Sequence, residues 1–137
     1  MSNYNDIMHV RNCVSSLHVH LVFVSEYGCG LFDADAIERL RAVFGKVCTD
    51  FDAVLVEMGG GEDHVHLLVE YPPKVSVSTL VNSLKGVSSR LLRKERPDIQ
   101  SKYWNGVLWA RSYFASSCGG APISILRQYI EEQQTPR

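Results

Sequence analysis

The stretch Gly59-Gly60-Gly61-Glu62-Asp63-His64-Val65-His66-Leu67-Leu68-Val69-Glu70-Tyr71 decides how the chain is read. A glycine-rich, acidic turn leads into an apolar strand that carries two histidines one residue apart. Side chains alternate across a strand, so His64 and His66 project from one face and Val65, Leu67 and Val69 from the other. The two histidine Cα atoms then lie about 6.5 Å apart, close enough for both imidazoles to lean onto one cation. Ala53–Met58 is β-rich, and the Gly59–Asp63 turn joins it to the histidine strand as an antiparallel hairpin.

On the N-terminal side, Leu17-His18-Val19-His20-Leu21-Val22-Phe23-Val24 reads as the first strand, ended by Tyr27-Gly28-Cys29-Gly30. Asp33 is placed to cap a helix over 34–50, where Ile37, Leu40, Val43, Phe44 and Val47 form an apolar stripe. On the C-terminal side, Pro72-Pro73 stops the histidine strand, because proline cannot donate to a ladder. A helix over 77–95 follows, with Leu80, Leu84, Val87 and Leu91 at helical spacing, and Pro97 is expected to terminate it. Residues 103–116 contain a fourth strand, Gly119-Gly120 breaks the chain, and Pro122 suits the first turn of a last helix over 122–134. Strand, helix, strand, strand, helix, strand is the split βαβ, or ferredoxin-like, order. The expected fold is therefore α+β: one domain over residues 1–137, an antiparallel sheet with helices on one face, and a C-terminal helix that bears Tyr129.

A chain of 137 residues with 45% hydrophobic content builds one core of useful size. The net charge is only −1, but residues 1–73 hold 4 Lys/Arg against 11 Asp/Glu, whereas residues 74–137 hold 10 against 4. That asymmetry suits either a polyanion-facing surface or an ordinary solvated one. Cys13, Cys29, Cys48 and Cys118 show no C-x-x-C pair, which argues for reduced thiols rather than a zinc knuckle or disulfide framework. There is no basic-then-apolar leader and no apolar run near the roughly 20 residues that span a bilayer, so a cytoplasmic protein without a membrane partner is expected.

The candidate chemistry has bland readings beside it. An H-x-H pair on a strand is a cation site or a satisfied structural pair. His18-Val19-His20 has the same spacing without the glycine approach, and reads as structural or substrate-facing. Glu57, Glu62 and Asp63 are either assistants to a metal or solvated turn carboxylates. Tyr129 lies beside the Ile123, Leu126, Ile130 stripe, with Gln133 one turn on along the same face, so a phenol and an amide oxygen stand together or a tyrosine merely edges the core. Trp104, Trp109, Tyr113 and Phe114 divide between core and base-stacking platform. Lys85, Arg90, Arg93 and Lys94 line the polar side of helix 77–95.

The Asp63-His64-Val65-His66-Leu67-Leu68 run resembles the His-hydrophobic-His motif of HUH nucleases. With Ser83-Leu84-Lys85-Gly86, Leu108-Trp109, Ser112-Tyr113-Phe114, Gly119-Gly120 and Gln128-Tyr129-Ile130-Glu131, residues 16–134 resemble the single-tyrosine HUH transposases of insertion sequences that move as single-stranded DNA. The resemblance implies that His64, His66 and Gln133 hold Mg²⁺ or Mn²⁺, and that Tyr129 attacks a phosphodiester to give a 5′-phosphotyrosine. It implies single-stranded DNA with hairpin ends as partner, a homodimer in which the tyrosine helix of one subunit can complete the site of the other, and no nucleotide cofactor. Lys85, Arg90, Arg93 and Lys94 become the expected DNA-binding surface. The run Ser25-Glu26-Tyr27-Gly28 departs from the basic segment such proteins often carry there. Two alternatives stand beside this reading. One is a domesticated nuclease associated with repetitive extragenic palindromes; the other is a non-catalytic ferredoxin-like nucleic-acid-binding module.

Overall fold

A computed structural model describes residues 17–26, 30–101 and 107–117. Four strands, β1 (Leu17–Val24), β2 (Val54–Gly60), β3 (His64–Tyr71) and β4 (Phe114–Ser117), form one sheet in the order β2-β3-β1-β4. Every neighbouring pair is antiparallel. β1 and β2 therefore run the same way with β3 inserted between them, which is the split βαβ arrangement expected from the element order.

The connection from β1 to β2 is α1 (Ala34–Asp50). It starts where Asp33 Oδ1 accepts the Ala36 N–H at 2.8 Å, as the capping rule requires. The connection from β3 to β4 runs through α2 (Val77–Glu95), capped by Ser76 through the Thr79 N–H at 3.0 Å, and the short α3 (Pro97–Gln100). Val19, Leu21 and Phe23 from β1 and Val65, Leu67 and Val69 from β3 are buried with Ala36, Leu40, Phe44, Leu80, Leu84 and Leu92 from the helices. The core thus takes the odd-numbered face of both central strands.

The helix over 77–95 ends before Pro97 as expected, while other details depart from expectation. Glu95 ends α2, Arg96 caps it, and Pro97 opens α3, a first-turn position where the missing N–H costs nothing. The buried residues of α2 are Leu80, Val81, Leu84, Ser88 and Leu92, so Leu92 rather than Leu91 continues the stripe, and the indole Nε1 of Trp109 donates to Ser88 Oγ at 2.9 Å and satisfies that buried hydroxyl. β4 falls at the end of the 103–116 window and runs one residue past it, while Trp109 makes an isolated bridge to Ser25. β2 continues through Gly59 and Gly60, with a bulge between Leu55 and Glu57, so the hairpin loop is only Gly61–Asp63. Gly60 is needed there: a Cβ would stand 2.9 Å from the His64 carbonyl oxygen and 3.0 Å from Ile37 Cδ1. The expected helix over 122–134, with Tyr129 and Gln133, lies outside the described residues, as do Trp104, Cys13, Cys29 and Cys118. Among the described residues, no helix is long and apolar enough to cross a membrane.

Candidate active site on the histidine face of the sheet

The helices cover one face of the sheet, and the even-numbered residues of β1 and β3 make the other. Cross-strand register pairs His18 with Glu70, His20 with Leu68, Val22 with His66 and Val24 with His64. Both H-x-H pairs therefore lie on one face, which the first strand alone left open.

The two central histidines differ. His64 is partly exposed, and its Nδ1 lies 3.0 Å from Asp63 Oδ1. His66 is 2% exposed, and neither of its ring nitrogens has a hydrogen-bond partner. The two rings are nearly parallel, with centroids 6.2 Å apart and planes at 24°. Burial, with repulsion from the neighbouring His20 and His64 rings, pushes the His66 imidazole down to about 4. It is neutral at pH 7 and keeps a lone pair available. His20 is buried too, which lowers its pKa, and its ring meets His66 edge-on at 6.0 Å. His18 Nε2 lies 3.9 Å from Glu70 Oε1.

A buried imidazole without a partner is costly unless something else satisfies it. A divalent cation held by His64 and His66 fits that need and the chemistry of two neutral nitrogen donors. Among the described residues, no three of His, Cys, Asp and Glu are disposed to hold a metal. The turn below the pair is pinned through its backbone. Ser25 N–H donates to Asp63 O at 2.8 Å, and Leu31 and Phe32 N–H both donate to Glu62 O at 3.1 and 3.0 Å.

The expected basic surface divides. Arg90 and Lys94 are exposed and Arg93 is half-buried. Lys85 is turned towards the chain: its Nζ donates to Ala110 O at 2.7 Å, with Arg111 O and Ser112 O at 3.3 and 3.4 Å. It also stands 5.8 Å from the Phe23 ring centroid and 5.6 Å from that of Tyr113. Trp109 is core, whereas Tyr113 and Phe114 are 38% and 49% exposed. Phe114 packs edge-on to His20 at 6.0 Å, a neighbour that pattern reading missed because β4 pairs with β1 across most of the chain. The Asp63–His64 contact was signalled only by adjacency in the sequence.

Against known proteins, residues 13–133 match the family described as "Transposase IS200 like". The chain is 31% identical over 134 residues to the transposase for insertion sequence element IS200 of Salmonella typhimurium, covering 97% of this chain and 85% of that one. It is 27% identical over 123 residues to the ISDra2 transposase TnpA of Deinococcus radiodurans, covering 90% and 88%. A crystal structure described as a transposase from Deinococcus radiodurans superposes with a TM-score of 0.73 at 27% identity, covering 92% of this chain and 97% of the other. A REP-associated tyrosine transposase bound to a REP hairpin shares the fold, with a TM-score of 0.58 at 12% identity, covering 96% and 69%.

Proposed function

The chain belongs to the IS200-like transposase family, and on that premise we propose that it cleaves and rejoins single-stranded DNA at element ends through a 5′-phosphotyrosine on Tyr129. The observation that carries the reading is the His64–His66 pair on a central strand, with two buried nitrogens of His66 left without partners. His64 and His66, joined by Gln133, would hold Mg²⁺ or Mn²⁺. The two nitrogen donors favour Mn²⁺, since Mg²⁺ prefers oxygen. Such an ion, when bound, supplies Lewis-acid polarisation of the scissile phosphate and a template for in-line attack.

The chain's own residues do the rest. Tyr129 gives up its phenolic proton as Oη forms a bond to phosphorus, and the bond to the 3′-oxygen breaks, leaving a 3′-hydroxyl after proton uptake. A phosphoester replaces a phosphoester, so a free 3′-hydroxyl reverses the step without nucleotide cofactor. A phenol with an ordinary pKa near 10 is a weak nucleophile at neutral pH, so the reaction depends on positioning and charge stabilisation. Arg90, Arg93 and Lys94 supply a basic track for the DNA backbone. A hairpin partner is proposed by analogy with the REP-associated protein, and a second copy of the chain as the partner that completes the site.

The test is a covalent-adduct assay with labelled single-stranded DNA carrying the flanking hairpin ends, resolved on a denaturing gel. A Mn²⁺- or Mg²⁺-dependent shifted band, absent in EDTA and in Tyr129→Phe, is expected. DNA binding without adduct formation in either metal would instead favour the non-catalytic module.

A further inference from the structure

The histidine pair is asymmetric, and the asymmetry has a visible cause. His66 is enclosed by its neighbours, whereas His64 stands partly exposed at the end of β3. Two features nevertheless limit the His64 ring. Asp63 Oδ1 lies 3.0 Å from Nδ1. The ring also rests on Gly61: a Cβ there would come within 2.9 Å of His64 Cε1 and 3.3 Å of Nδ1. The Gly61 N–H in turn donates to the His64 carbonyl at 2.9 Å, and the Asp63 carbonyl takes the Ser25 N–H, so the turn that carries both groups is tied to β1 and β3.

From this geometry we infer that Asp63 and Gly61 are positioning residues for His64: the carboxylate holds the proton on Nδ1, the glycine gives the ring its seat, and Nε2 is thereby kept as the lone-pair donor. A neutral imidazole carries one proton, so a hydrogen bond from Nδ1–H to a carboxylate leaves Nε2 unprotonated and able to bind a cation. The carboxylate also orients the ring and raises the basicity of the far nitrogen. An alanine at Gly61 would displace the ring without touching Asp63. This inference deepens the proposed metal role of His64 and rests on it only for its purpose; the tautomer itself is a property of the metal-free chain.

The test uses the ¹⁵N-labelled full chain without metal at about pH 8, where an ordinary imidazole is neutral. Long-range ¹H–¹⁵N correlation spectra, with His64 assigned by a His64→Gln variant, report which ring nitrogen bears the proton. Wild type is expected in the Nδ1–H form, and Asp63→Ala is expected to shift His64 towards Nε2–H while His66 stays unchanged as an internal control. Asp63→Asn, whose amide oxygen still accepts, should retain the wild-type tautomer. A calorimetric Mn²⁺ titration of the same proteins is the second readout. About a tenfold or greater loss of affinity is expected for Asp63→Ala and Gly61→Ala, with a smaller loss for Asp63→Asn. An unchanged tautomer in Asp63→Ala would overturn the inference, as would an Asp63→Asn loss equal to that of alanine, which would make the carboxylate a source of charge rather than orientation. If wild type binds no Mn²⁺ yet shows the expected tautomers, the metal reading fails and the positioning of His64 stands.

Discussion

Replacing Lys85 by methionine separates two roles that one lysine on a basic helix face could have. In the structure its ammonium leaves the basic track and caps the carbonyls of residues 110–112, the segment that leads into β4. Only the 2.7 Å bond to Ala110 O is short enough to count fully. A hydrogen bond involving a charged group contributes about 1.5–3 kcal/mol. The Phe23 and Tyr113 rings, at 5.8 and 5.6 Å, add cation–π attraction, about 0.5–1 kcal/mol each at such sites. Burial works against the charge and lowers the Lys85 pKa, which offsets part of that gain. Methionine keeps the apolar stem and removes the head, so a net loss of about 2 kcal/mol is expected. At this chain length that corresponds to a Tm lower by roughly 8 °C. Differential scanning calorimetry measures it, and the salt dependence of single-stranded DNA binding provides the second readout. Each phosphate contact on a single strand contributes about 0.7 to the slope of log K against log salt. An unchanged slope with a lowered Tm is the expected result. A slope smaller by about 0.7 with an unchanged Tm would refute the reasoning and return Lys85 to the DNA surface.

Three further outcomes are expected. His66→Leu removes a buried imidazole whose nitrogens have no partners, so the metal-free protein should gain about 1 kcal/mol in urea unfolding while any Mn²⁺-induced rise in Tm disappears. Arg96 donates to Asp33, Asp35 and Asp98. Its hydrogen bonds are the largest cause of the low pKa of Asp33 and Asp98, while for Asp35 Arg39 comes first. Carboxyls with depressed folded-state pKa values stabilise fully above their ordinary 3.8 and lose that contribution progressively as pH falls below it towards the lowered folded-state values. Tm measured from about pH 7 to pH 3 should therefore drop on the acid side, and Arg96→Ala should flatten that drop. Finally, Gly86→Ala, in mid-helix with nothing within 4 Å of the added Cβ, should stabilise by about 0.5–1 kcal/mol. Gly60→Ala should destabilise, since its Cβ meets backbone at 2.9 Å; equal thermal shifts for the two would contradict the close approach at the hairpin.

What the sequence determined by itself was local. Alternation placed His64 and His66 together against Val65, Leu67 and Val69, and β1 and α1 begin and end where strand pattern and the Asp33 cap put them. α2 likewise spans 77–95. Element order then favoured the split βαβ sheet, because antiparallel neighbours joined by one hairpin and two helical crossovers leave few other arrangements. Relations between distant segments were decided only by tertiary structure. The serine at 88 breaks the apolar pattern and becomes core because Trp109 reaches it. Arg96 follows a helix end and becomes the tie to Asp33, whose position 63 residues earlier no periodicity encodes. Lys85 lies on a basic helix face in the sequence, yet in the fold it serves three carbonyls of another segment. His18 and His20 joined the face of His64 and His66 because register sets Val22 opposite His66; a slip of one residue would have turned them to the core. Side-chain period is a property of a few consecutive residues and can be read along the chain, whereas a hydrogen-bond partner or a shared face depends on which strands pair and in what register.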